Sequence, residues 1–152
     1  MNHRHAVSKL APVISLTERR ARLVPIAVDL RQKQAHLDII LEALITAYRE
    51  GSWSAVIEEW RYLEPSLRAQ MDREEHDFLS AFRGVMRDDA DELIAQHEEL
   101  RDMLDVVGVG MDVHRVGVAD LEALLTALRE HTEHEEEHFY PWLDKRTSAN
   151  GV

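Results

Sequence analysis

Residues 131–142 read HTEHEEEHFYPW, and this stretch says most about how the chain folds. His131 and Glu135 are four residues apart, so in an α-helix their side chains lie on one face, about 40° apart around the axis. Three upstream residues fall on that same face: Leu121, Leu124 and Leu128. The stretch therefore predicts a helix, from about Ala119 to Trp142, that directs an imidazole and a carboxylate into a protein core.

Three further amphipathic helices are predicted upstream from apolar residues at three- and four-residue spacing. The first covers Ala27–Glu50, and the second covers about Trp53–Arg83 with a kink or short break before Pro65. The third begins at Asp88 and ends at Gly108. Because the helices are each about 20 residues long and mostly joined by short connections, we expect an all-α, up-down-up-down four-helix bundle.

The bundle is expected to occupy residues 25–146. Residues 1–24 have weak periodicity and contain Pro12, so we interpret them as a short N-terminal arm, while residues 147–152 are expected to form a flexible tail. The opening MNHRHAVSK resembles no signal peptide, so the expected location is the cytoplasm. No apolar run approaches the roughly 18 residues that a membrane span needs.

Composition excludes several classes of function. A chain of 152 residues suits one domain, and its formal net charge of −11 makes it a poor partner for nucleic acid. The absence of cysteine excludes disulfides, thiolate chemistry and cysteine-bound metals. A metal site in this protein must therefore use nitrogen and oxygen ligands, which suit iron, zinc or manganese.

The second helix repeats the spacing of the fourth, with Gln70 and Glu74 in the places of the histidine and the glutamate. His36 in the first helix and His97 in the third are also expected to point inward. A single histidine on an apolar face is usually a core residue bonded to a neighbour, but four polar positions at comparable depth indicate one shared site. Burial of a carboxylate among leucines is costly without a partner, and a metal ion is one such partner.

This pattern resembles the hemerythrin-like (HHE cation-binding) family, whose four helices present His, His-x-x-x-Glu, His and His-x-x-x-Glu. Residues 135–141, EEEHFYP, resemble the family signature EExxLFP, and residues 96–100, QHEEL, resemble its third-helix motif. The resemblance covers about Leu30 to Leu143. It implies five metal ligands: His36, Glu74, His97, His131 and Glu135. In the family, the two glutamates would bridge two non-haem irons, with an open position for dioxygen, nitric oxide or peroxide.

Gln70 is the departure from the family pattern, which has histidine at this place. An amide oxygen is a weaker, neutral ligand for iron than imidazole is. We therefore expect an asymmetric site, with a stronger half around His97, His131 and Glu135 and a weaker half around His36, Gln70 and Glu74. One metal, or a different divalent metal, becomes an alternative to two irons.

His138 follows His131 by seven residues and is expected to point almost the same way. It is a candidate substitute ligand for the weaker half, or a partner of Asp77 that supports the ligands across the core. A surface or helix-end ion pair is the alternative interpretation of His138.

Two metal-enzyme motifs match only in part. Residues 134–138 fit the zinc-protease pattern HExxH, but only 14 residues follow His138 to supply a third ligand and a cleft. Glu135 and His138 fit the Glu-x-x-His motif of ferritin-like proteins, which is needed twice. Its second copy is missing, because Arg73 occupies the matching place.

The expected function is a metal protein that binds or senses a small oxidant: dioxygen, nitric oxide or peroxide. No sequence feature indicates a pocket for an organic substrate, so a binding or sensing protein is favoured over a metabolic enzyme. One alternative is weak peroxidase activity or iron delivery. Another is a degenerate bundle with one or no metal, which acts through contacts with a second copy or with a protein partner of the N-terminal arm.

Overall fold

A computed structural model describes residues 25–149, which contain four long helices and no strand. The first helix, α1, is Ile26–Arg49, and the third, α3, is Arg87–Asp112. The second and fourth helices each contain a π-helical turn of five residues. The three parts of α2 are Trp53–Glu74, the π-turn Glu75–Leu79 and Ser80–Val85. The three parts of α4 are Val118–His134, the π-turn Glu135–Phe139 and Tyr140–Ala149.

The helices form an up-down-up-down bundle in which each helix packs against two others, in the cyclic order α1, α2, α3, α4. The predicted all-α four-helix bundle is confirmed. The predicted arm, residues 1–24, and residues 150–152 of the predicted tail lie outside the described residues. The last helix ends at Ala149, beyond the predicted end of the bundle at residue 146. No helix in the described part of the chain is long and apolar enough to cross a membrane.

The two π-turns change the spacing of the buried residues. In α2 the buried positions Trp60, Leu67 and Glu74 recur every seven residues, and the corresponding position beyond the π-turn, Phe82, comes after eight. In α4 the buried positions Leu121, Leu128 and Glu135 also recur every seven residues, and Leu143 follows after eight. A π-turn holds one extra residue relative to an α-turn, so each helix keeps its buried face aligned across the longer step.

Two hydrophobic clusters fill the bundle, one above the other. The larger lies towards the α1–α2 connection and includes Leu41, Trp60 and Leu104. The smaller includes Phe82 and Phe139. On every helix the buried polar residues fall between the two clusters: Gln34, Gln70, Glu74, His97, His131 and Glu135. The core is therefore divided by a polar layer that draws on all four helices.

The prediction that the third helix ends at Gly108 is wrong, because α3 continues to Asp112. The glycines in this stretch serve packing. A Cβ atom at Gly110 would lie 2.8 Å from the backbone oxygen of Arg115, where the chain turns back against the helix. The turn itself includes His114 at φ +55° and a hydrogen bond from the Arg115 amide to the Gly110 carbonyl, with an N–O distance of 2.7 Å.

No break occurs before Pro65, since the first segment of α2 is continuous across it. Proline removes the hydrogen bond to the carbonyl four residues earlier, which belongs to Arg61. Both residues are exposed, so water can satisfy that carbonyl. The irregularity of α2 lies instead in its π-turn, ten residues further on.

Candidate metal centre

Four buried side chains converge in the polar layer. They come from α2, α3 and, twice, α4: Glu74, His97, His131 and Glu135. Each offers one ligand atom, and these four atoms lie within 4.8 Å of one another. None of the four residues is more than 2% exposed. The structure thus brings together, in the buried interior, two imidazoles and two carboxylates that were proposed as ligands from the sequence.

The Nε2 atoms of the two imidazoles face each other across the centre of this group. They are 3.1 Å apart, and His97 Nε2 is 3.4 Å from Glu74 Oε2. His131 Nε2 contacts Glu135 Oε1, one helical turn away on the same helix. All four donor atoms therefore point at one small volume, as the ligands of a single ion must.

The outer nitrogen of each imidazole has its own acceptor. His97 Nδ1 lies 3.2 Å from Glu75 Oε1, and Arg101 holds that carboxylate with contacts of 3.0 and 2.6 Å. His131 Nδ1 lies 2.8 Å from Gln96 Oε1. When Nδ1 carries the proton and donates it to such an acceptor, the lone pair of Nε2 is free for a metal.

Three oxygens of the group make no regular hydrogen bond with a described residue, although imidazole Nε2 atoms lie close to two of them: Glu74 Oε2 and both carboxylate oxygens of Glu135. Buried polar atoms are normally satisfied, and a buried charge without compensation is costly. A divalent cation at the centre would satisfy these oxygens and both imidazole nitrogens. Two imidazoles with two carboxylates suit iron, manganese or zinc, so the residues present fit a bound metal.

The two carboxyl groups have pKa values that shift in opposite directions. Burial, together with the negative charge of Glu135, raises the pKa of Glu74 well above its ordinary value. Burial also opposes ionisation of Glu135, but His131, together with Tyr140 and His97, more than offsets it, and the pKa of Glu135 is lowered. Burial lowers the pKa of His97, although Glu135 and Glu75 oppose that shift. Without a cation, the site therefore favours one charged and one protonated carboxyl group.

Gln70 lies at the edge of this group and is buried. Its Nε2 donates to Gln34 Oε1 at 2.7 Å and also lies 3.4 Å from Glu74 Oε1. At the level of the site, α1 and α2 therefore present two amides bonded to each other, where α3 and α4 present two imidazoles.

The prediction that His36 points inward is wrong. His36 is exposed, and its ring packs edge-on against Tyr62 with the ring centroids 5.7 Å apart. The inward residue of α1 at this level is Gln34, which lies in line with Leu30 and Leu37. The sequence analysis missed Gln34, although its spacing of four and three residues from those two leucines was a usable signal.

His138 is also outside the group, with a side chain that is 43% exposed. Its Nε2 lies 3.9 Å from Glu137 and 4.0 Å from Asp89, and no contact with Asp77 occurs among the described residues. The π-turn explains this placement, because its extra residue puts Phe139, rather than His138, on the buried face after His131. The structure agrees with the alternative interpretation of His138 as a surface ion pair.

Supporting residues around the imidazoles were not found from the sequence. Glu75 and Gln96 each adjoin a residue that was singled out, and Arg101 lies one helical turn after His97. The buried hydroxyl of Tyr140 is a further group near the site that was not predicted from the sequence. Burial and the charge of Glu135 raise its pKa, so Tyr140 stays protonated beside the carboxyl groups. Adjacency to a proposed ligand was the only available signal for Glu75 and Gln96.

The fold and the site together define a four-helix bundle with an internal group of two histidines and two glutamates able to bind a cation. The sequence model of the hemerythrin HHE cation-binding domain matches residues 24–143, and the chain belongs to this family. The family resemblance proposed from the sequence is thereby confirmed. No curated protein and no solved structure matches the chain.

Proposed function

We propose that the protein binds one non-haem iron ion at Glu74, His97, His131 and Glu135 and uses it to bind a small oxidant. The observation that carries this proposal is the convergence of four buried ligand atoms, including carboxylate oxygens that make no regular hydrogen bond. Bound iron(II) supplies a redox-active centre that can accept dioxygen, nitric oxide or peroxide. These three ligands are the ones expected from the family resemblance.

One ion is favoured over two because, apart from Glu74, the α1–α2 side offers only amides. Gln34 and Gln70 are neutral, and the amide of Gln70 already donates to the oxygen of Gln34. An amide oxygen engaged in this way is a poor substitute for imidazole. The second position that the family resemblance implies therefore lacks its nitrogen ligands.

The protein side chains prepare the site for the ion. Glu75 and Gln96 orient the two imidazoles so that their Nε2 atoms face the centre. The surrounding leucine and phenylalanine side chains exclude bulk water, which strengthens every electrostatic interaction inside. Tyr140 places a buried hydroxyl proton next to Glu135 and can donate it to an oxygen atom at the site.

Metal analysis of the purified full-length chain tests this proposal. After anaerobic reconstitution with iron(II), we expect about one iron per chain and an optical change on addition of nitric oxide. His97→Ala should lose the iron, whereas the matched variant His36→Ala, at an exposed position on α1, should retain it. If the wild-type chain takes up no iron, or if both variants behave alike, the proposal is wrong.

A further inference from the structure

A pocket of about 270 Å³ opens between α1 and α2, beside the proposed metal centre. Its inner part is formed by buried residues that include Leu37 and Gln70. Lys33, His36 and Tyr62 line its outer part and are exposed to solvent. The pocket thus runs from the surface to the amide of Gln70.

Gln70 is the link between this pocket and the metal centre. It lines the pocket, and its Nε2 lies 3.4 Å from Glu74 Oε1. The four proposed ligands are at most 2% exposed, so a molecule from solvent has to displace a side chain to reach them. Rotation of Gln70 about its own side-chain bonds would break its hydrogen bond to Gln34 and open the pocket towards Glu74.

The charge around the pocket is unusual for this chain. Its lining includes Lys33 and Arg73 and no carboxylate, although the whole chain has a formal net charge of −11. Asp29, which lies outside the lining, bridges the two cations at 3.3 and 3.0 Å. Two cations and one carboxylate leave a single net positive charge, and such a field attracts small anions.

We propose that this pocket binds small monoanions, of the size of formate or nitrite, and is their entrance to the metal centre, with Gln70 as the gate. The anion lies at the outer end beside Lys33 and Arg73 and reaches the centre when Gln70 turns away. The destination of the anion rests on the proposed function, whereas binding in the pocket does not.

Nuclear magnetic resonance of the full-length chain tests binding in the pocket directly. Formate is the probe, and formamide, which has the same shape without the charge, is its control. We expect formate to shift the side-chain amide signal of Gln70 and the backbone signals of Lys33 and Ala69 in a saturable manner, both without metal and with zinc(II). Formamide should produce no saturable shift. Equal responses to the two probes, or no shift at Gln70, would overturn the proposal.

Two pairs of variants test whether formate binds in this pocket. Ala69→Leu fills the pocket and should abolish the formate shifts, while the same change at Ala123, an exposed position in a separate surface pocket between α3 and α4, should not. Lys33→Gln should weaken formate binding about threefold, and Lys145→Gln should leave it unchanged. If Ala69→Leu binds formate as the wild type does, the entrance lies elsewhere.

The same spectra separate this inference from the proposed function. Zinc(II) should shift the imidazole signals of His97 and His131 whether or not the pocket binds anions. Formate shifts without zinc shifts would support the pocket and reject the metal centre. Zinc shifts without formate shifts would support the metal centre and reject the pocket.

Discussion

The helices α2 and α4 carry the same arrangement of buried residues, and they differ at one decisive position. Each places a glutamate at the centre and continues into a π-turn that adds one residue to the spacing of its buried face. Four residues before the glutamate, α4 has His131 and α2 has Gln70. The pKa of Glu135 is lowered and the pKa of Glu74 is raised. Both carboxyl groups are buried, so the opposite directions follow from their neighbours, since His131 lies beside Glu135 and the charge of Glu135 acts on Glu74.

His131→Gln makes α4 resemble α2 and should have the largest effect. It removes one proposed ligand and the group that holds Glu135 in its charged form. Because even loss of a residue supporting a ligand typically costs 10- to 100-fold in metal affinity, we expect a loss of at least about 100-fold. Competition with a chelator measures the affinity. His36→Gln is the matched control and should be neutral, and a His131→Gln variant within threefold of wild type would refute the assignment.

Gln70→His makes α2 resemble α4 and should have a smaller effect of opposite sign. The new imidazole can bind metal or stabilise the charged form of Glu74. We expect about tenfold tighter iron binding, or an iron content that rises above one per chain. Elemental analysis and chelator competition measure both quantities. Gln32→His, an exposed change on α1, controls for an added surface histidine, and an equal gain in that variant would contradict the prediction.

In the metal-free protein, Glu74→Gln removes the carboxyl group whose pKa is raised, and its effect on stability should be the smallest of the three. In the metal-free protein, the protonated form of Glu74 suits its buried surroundings. Its stabilising contribution is therefore present at a pH below the ordinary pKa and is lost as the pH rises through the raised pKa. The variant lacks this loss and should be more stable than the metal-free wild type at neutral pH, by about 1 kcal/mol.

Urea unfolding at pH 5 and pH 7, without metal, measures this difference. The gap between variant and wild type should widen from pH 5 to pH 7. Glu58→Gln, at an exposed position on the same helix, should show no such change. A gap that narrows with rising pH would show that Glu74 is ionised in the folded metal-free protein.

The bundle and most of its polar layer were predictable from the sequence. The i, i+4 spacing of Gln70 with Glu74 and of His131 with Glu135 identifies two inward pairs, since leucines one and two turns away share their faces. His97 is surrounded in the same way by Leu93 and Leu100. Strong amphipathic periodicity of this kind leaves one choice of buried face.

The buried face of the first helix was harder to predict, because the apolar residues of this helix are not confined to one face. Ile39 is 61% exposed and Ile40 is 7% exposed, so the sequence admits more than one buried face. Sequence analysis chose the face that contains His36, and the structure buries the one that contains Gln34. The spacing of Gln34 from Leu30 and Leu37 favours the buried face, and packing against α2 and α4 fixes it.

The π-turns could not be predicted from regular helical geometry, and His138 was misplaced for that reason. The sequence signal of a π-turn is a step of eight residues between corresponding buried positions, where a regular helix has seven, as from Glu135 to Leu143. A step of that kind is visible only after the buried residues on both sides of it are known. Glu75, which contacts His97 and Arg101, itself belongs to the π-turn of α2.

Each π-turn also amounts to a one-residue insertion that the bundle has accommodated within an unbroken helix. Deletion of one residue from the segment 135–139 would restore a regular α-helix, in which a step of seven residues replaces the step of eight. Phe139, Tyr140 and Leu143 would then stay on the buried face and keep their places in the smaller hydrophobic cluster. A deletion from the regular part of α4 before this segment would instead rotate the later residues by about 100° and move them out of that cluster, and a comparison of insertions and deletions across the family would reveal this difference.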